Sequence, residues 1–154
     1  EAAAPLGAAA LPDVDLTMLN AARDPLRPIV FARARHIVTD NARTLAAADA
    51  LALGDLAAMG GLMTDSHASQ RDDFGITVPA TDRLAALMTE AIDGEGGARQ
   101  TGGGFGGAVI GLMPQARVEA VRTHIVGNYR APAGTPPDIY IERARPGAGV
   151  LPNG

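Results

Sequence analysis

The sequence predicts an α+β fold in which a helical front half precedes a back half of order β-α-β-β-α-β. Three observations carry this reading. Apolar residues recur at helical spacing through 30–52, 56–63, 84–92 and 118–129, and proline or glycine marks most of the segment ends. Two short strand-like segments, 98–101 and 108–113, flank a dense run of glycines. A weak strand-like segment at 74–78 and an alternating one at 138–142 complete the order from Ile76 onward as the split ferredoxin-like arrangement. The chain divides into a mostly helical part over 1–74, a ferredoxin-like part over 75–145 and a loose tail over 146–154.

Residues 1–12 are rich in alanine and proline, and Leu6, Leu11 and Val14 are the sizeable apolar side chains able to dock there. Asp13 or Asp15 caps a short helix running to Ala22. After Pro25 and Pro28 comes a long helix that ends at Gly54. Its polar face, Arg33, Arg35, Asp40, Arg43 and Asp49, reads as solvated. Asp55 caps the next helix, whose stripe of Leu56, Met59, Leu62 and Met63 fills core despite Gly60 and Gly61. A polar cluster over 66–74 closes that helix. Phe74 to Val78 forms a short strand, and Pro79 opens a helix with Leu84, Leu87, Met88, Ala91 and Ile92 inward, closed by Gly94. Pro114 opens the last helix, with Val118, Val121, Ile125 and Tyr129 on one side. A Pro/Gly-rich turn over 132–137 then leads to a strand placing Ile139 and Ile141 on one face.

A length of 154 residues suits one domain with a core of Leu, Ile, Val, Met and Ala, since aromatics make up only 3%. The net charge of -4 and the scattered arginines argue against nucleic acid and anionic membranes as partners. With no cysteine, disulfides, thiol catalysis and zinc–thiolate sites are excluded, and the absence fits a cytoplasmic protein. No apolar run approaches the roughly 20 residues of a membrane helix, and the alanine-rich start lacks a signal peptide's basic flank. The chain reads as soluble. It opens at Glu1 without an initiator methionine, which suggests processing or truncation.

The glycine run spans 96–107. Gly102, Gly104 and Gly107 satisfy G-x-G-x-x-G, but a dinucleotide fingerprint needs a helix opening on the glycines, and here a strand follows. No Gly-Lys-Ser/Thr ends the run, so it is no P-loop. Two readings remain: a plain hairpin, or a loop whose bare N–H groups face an anion such as phosphate. Ser66, His67, Ser69, Asp72 and Asp73 together invite a hydrolase reading. Adjacent residues on one helix cannot form a triad, however, and no G-x-S-x-G is present. His36, His67 and His124 are too far apart in sequence for a helical zinc pair, and Arg71-Asp72-Asp73 reads as an ion-paired helix end.

Three stretches, in this order, resemble the C-terminal half of galactokinases: Arg33-Ala34-Arg35-His36-Ile37-Val38-Thr39-Asp40-Asn41-Ala42-Arg43-Thr44, Ser66-His67-Ala68-Ser69-Gln70-Arg71-Asp72-Asp73-Phe74 and Gly97-Ala98-Arg99-Gln100-Thr101-Gly102-Gly103-Gly104-Phe105-Gly106-Gly107. These are sugar kinases of the galactokinase, homoserine kinase, mevalonate kinase and phosphomevalonate kinase superfamily. The resemblance implies the C-terminal lobe of a two-lobe sugar kinase that moves the γ-phosphate of ATP, with Mg²⁺, to the C1 hydroxyl of α-D-galactose. It implies nucleotide-facing roles for Thr101, Gly102, Gly103, Gly104, Phe105, Gly106 and Gly107, either by direct contact or by packing between lobes. Ser69, Arg71 and Asp72 become a cleft wall, and Arg33, Arg35 and His36 a polar face that is either solvated or turned toward the missing N-terminal lobe. The family's sugar-binding motif, its Ser-rich phosphate loop and its catalytic aspartate have no counterpart in this sequence. No residue here therefore receives a catalytic or metal-binding role, and the chain is expected to be a C-terminal domain inactive alone. Two other readings stand beside this one: a stand-alone ferredoxin-like interaction module, and the C-terminal lobe of another small-molecule kinase of the superfamily.

Overall fold

The computed structural model describes residue 2 and residues 7–144. Leu6 and the tail over 146–154 lie outside them. Helix α1, Leu16–Ala21, begins where Asp15 Oδ1 accepts the Met18 N–H at 2.8 Å, as a capping aspartate should. Helix α2, Pro28–Leu53, opens on a proline whose missing N–H is not needed there and ends at Gly54 in the left-handed conformation. Leu19, Leu26, Phe31, Ala34 and Val38 form one apolar cluster that fixes α1 on the first half of α2. Helix α3, Leu56–Ser69, starts on the Asp55 cap, whose Oδ1 accepts from Ala58 N at 2.9 Å, and packs against α2.

The end of α3 widens into a π-helical turn, Gln70–Phe74, which closes at left-handed Gly75 with Ile76 N–H donating to Gln70 O. Helix α4, Pro79–Ile92, follows; strands β1, Gly97–Thr101, and β2, Ala108–Leu112, pair antiparallel with Gly97 opposite Leu112 and Thr101 opposite Ala108. A short 3-10 turn then leads into α5, Val118–Asn128. Leu87 and Ile92 of α4, Ala98 of β1 and Val121, Ile125 and Tyr129 from the α5 region form the second apolar cluster. Among the described residues no helix is long and apolar enough to cross a membrane.

The fold is α+β, but the described residues contain two strands rather than four. In the expected first strand the ladder groups are spent elsewhere. Ile76 N–H closes the π-turn, Val78 N–H goes to Thr81 Oγ1 at 3.2 Å, and Ile76 O accepts from Gln100 Nε2 and Phe105 N. The expected last strand is unpaired, with Tyr140 86% exposed and Ile139 and Ile141 also at the surface. Alternation gives a segment two faces; pairing needs a free edge as well.

Backbone meets backbone where α3 crosses β1. A Cβ on Gly60 would overlap the Gly96 backbone, and one on Gly97 would overlap the Gly60 backbone. Gly60→Ala is therefore expected to destabilise the domain by at least about 2 kcal/mol in urea unfolding, as overpacking against a backbone that cannot yield does. A loss under about 0.5 kcal/mol, the range of neutral surface changes, would contradict this contact.

Candidate functional site

The loop joining β1 to β2 holds Gly102, Gly104, Phe105, Gly106 and Gly107 at positive φ. Phe105, a bulky residue at φ 58°, is 75% exposed, and its N–H is tied to Ile76 O at 2.6 Å. Such a conformation costs on the order of 1 kcal/mol and persists only where the surroundings hold it. The glycines serve two purposes. A Cβ on Gly104 would lie 2.8 Å from that of Ile76, so this glycine seats the loop. A Cβ on Gly102, Gly103 or Gly106 would meet nothing within 4 Å, and Thr101, Gly102 and Gly103 are exposed. That side offers bare backbone to an approaching group.

Behind the loop stands a buried polar network. Gln100, 1% exposed, donates from Nε2 to Ile76 O at 3.1 Å and accepts at Oε1 from Thr81 Oγ1 at 2.5 Å. Its backbone N–H donates to His67 Nδ1 at 3.0 Å. His67 Nε2 lies 3.2 Å from Asp82 Oδ1, off the line a hydrogen bond needs. Gln100 and Thr81 were missed as site residues in the sequence. The available signal was parity: Gln100 shares a strand face with inward Ala98.

The polar cluster at the end of α3 is split by the helix between interior and surface. Ser66 Oγ donates to Asp40 Oδ1 at 2.7 Å, and Arg43 Nε donates to the same oxygen at 3.1 Å. Ser69 Oγ lies 2.9 Å from His36 Nδ1 and donates to Asp73 Oδ2 at 3.1 Å. Asp73 also pairs with Arg35, and the His36 ring stacks on Phe74 at 4.6 Å. Asp40 and Arg43 of the supposed solvated face of α2 are thus held at α3 through Ser66, and His36 is buried. Among the residues expected to wall a cleft, Ser69 is buried with its hydroxyl engaged. Arg71 and Asp72 are exposed and paired at 2.8 Å, which holds the Asp72 carboxyl below its ordinary range. Among the described residues no three His, Asp or Glu side chains stand together to hold a metal.

The hydrogen-bond network fixes the role of Nδ1 in both buried histidines, and at His67 it requires the neutral ring. Because the Asp73 carboxylate takes the one Ser69 hydroxyl proton, His36 donates from Nδ1. Because a backbone N–H can only donate, His67 accepts at Nδ1 and carries its proton on Nε2. Burial, the largest influence, lowers both imidazoles from the ordinary 6.5. Asp40 and Asp73 oppose it at His36, and Asp82 opposes it at His67. Burial alone would raise Asp40, but the Ser66 hydroxyl and the Arg43 guanidinium outweigh it and hold the carboxyl below 3.8.

Residues 47–131 match the family described as GHMP kinases C terminal. The chain belongs to the GHMP kinases. The match takes in α3, α4, α5, both strands and the glycine loop. The chain is also similar to the crystal structure of Lactococcus lactis galactokinase complexed with galactose. The TM-score is 0.70 and the identity 33%, over 77% of this chain and 31% of that one. The GHMP kinase domain thus spans less than a third of that relative's length.

The two lowered imidazoles fix the direction of acid sensitivity. The unfolded chain takes up protons near 6.5 before the folded chain does, so stability present at neutral pH is lost as pH falls below 6.5 toward the folded values. Asp40, depressed from 3.8, adds a second loss below that value. Urea midpoints measured from about pH 8 to about pH 3 are expected to fall in these two stages, and the first should shrink in a His36→Asn, His67→Asn double variant. A midpoint that rises on acidification through 6.5 would contradict the burial of neutral imidazoles.

Proposed function

We propose that this GHMP kinase domain is the C-terminal lobe of a galactokinase. In the longer chain it forms one wall of a cleft where the γ-phosphoryl group of ATP passes to the C1 hydroxyl of α-D-galactose. The observation that carries the reading is the open side of the glycine loop, found in a chain 33% identical to a galactokinase over most of its length. Phosphoryl transfer is largely positioning and charge neutralisation. A turn of exposed backbone at positive φ, without side chains in the way, lets a phosphate approach main-chain N–H groups closely.

In this reading Thr101, the glycines over 102–107 and Phe105 line the nucleotide side, and Arg71 and Asp72 flank the cleft. Ser69 acts from behind the wall, holding His36 and Asp73 in place. ATP would lie along the loop's bare backbone with Mg²⁺ on its phosphates. The sugar ligands and the acid–base group belong to the N-terminal lobe. The setting is the cytoplasm.

Gly103 gives the cleanest test, because its φ is not positive and a Cβ there meets nothing within the domain. In the longer galactose-phosphorylating chain, Gly103→Val should leave the unfolding midpoint unchanged and lower kcat/KM for ATP by about tenfold or more. Unchanged kinetics would mean that the loop's glycines serve packing alone. Phosphorylation of another small alcohol in place of galactose would reassign the substrate.

A further inference from the structure

His67 is 7% exposed and cannot touch a substrate, yet it stands at the base of the loop that would. Its Nδ1 takes the Gln100 N–H on the edge of β1 that α3 covers. Gln100 in turn spans from Thr81 Oγ1 to Ile76 O. The same Ile76 carbonyl holds the Phe105 N–H, and with it the one non-glycine residue of the loop forced to positive φ. Three hydrogen bonds in series, His67 to Gln100, Gln100 to Ile76 and Ile76 to Phe105, link helix α3 to the tip of the glycine loop.

We propose that His67, as a neutral imidazole protonated on Nε2, is the positioning residue of the glycine loop, setting its shape through the Gln100 amide and the Ile76 carbonyl. A second proton could go only to Nδ1, where it would meet the Gln100 N–H donor head-on and break the first bond of the series. The charged groups acting on the ring come from three neighbouring elements. Asp82 on α4 favours the imidazolium, while Arg71 in the π-turn and Arg99 on β1 oppose it. With burial on the side of the arginines, the ring is neutral at pH 7 and the series is intact. Acidification releases it.

The kinetic part of the test rests on the kinase reading; the spectroscopic part does not. In the 154-residue chain, long-range ¹H–¹⁵N spectra at neutral pH should show His67 with its proton on Nε2, and the opposite tautomer or an imidazolium would overturn the proposal. His67→Asn can offer Oδ1 where Nδ1 stood and does not titrate, so it should keep the Phe105 amide resonance in place and remove its movement on acidification. His67→Leu should displace that resonance. If the leucine variant does not fold, the tautomer and the asparagine variant decide the matter. A Phe105 resonance that ignores both variants and pH would overturn the proposal. In the longer kinase, His67→Leu should raise KM for ATP by about tenfold, and His67→Asn should restore it to within about twofold and flatten the acid limb of the pH profile. Absence of sugar kinase activity beside the expected spectra would sink the kinase reading and leave the positioning role standing.

Discussion

Helix α3 lies with its backbone directly on the backbone at the start of β1, because Gly60 and Gly97 place no side chain between them. The rest of the site depends on that approach. At ordinary helix-to-strand spacing the His67 ring would not reach the Gln100 amide, and the edge of β1 would be left with unpaired groups. Two glycines bear a conformational cost in return for a contact no other residue permits. The two-stranded sheet, too small to stand alone, is braced by α3 along one edge and by the α4 and α5 cluster on one face.

Around that contact the interior is unusually polar. His36, Ser66, His67, Ser69, Gln70, Thr81 and Gln100 are all buried. Such groups cost stability unless they are hydrogen-bonded, and the bonded ones here fix orientation more than they add to cohesion. The serines of α3 each face a different residue of α2, Ser66 toward Asp40 and Ser69 toward His36, so the two helices lock in one register. The far half of α2 is different: Leu45, Leu51 and Leu53 are exposed, Leu53 at 83%. The packing of α2 is concentrated in the half that supports the site.

The helices were legible in the sequence because their signals are local. Asp15, Asp55, Gly54, Pro28 and Pro79 cap or open helices where their chemistry predicts. The glycine hairpin and its flanking strands were legible for the same reason. The outer strands were not, since whether Ile76 or Ile139 joins a ladder depends on which edge lies beside it and on where the neighbouring N–H groups go. The polar face of α2 misled for a related reason: periodicity separates polar from apolar faces and cannot tell solvent from a buried serine. Gln100 was hidden because a lone glutamine gives no sign that its side-chain oxygen, side-chain nitrogen and backbone N–H all find partners inside.

The central claim is that α3 fastens the free edge of β1 and so sets the loop beyond it. Native-state hydrogen exchange tests this most directly, because each amide reports the opening that exposes it. The Gln100 amide is expected to exchange only by global unfolding, together with the buried amides of α3, while the amides of Gly102 and Gly103 exchange rapidly. A Gln100 amide that exchanges as fast as those of the loop would contradict that claim.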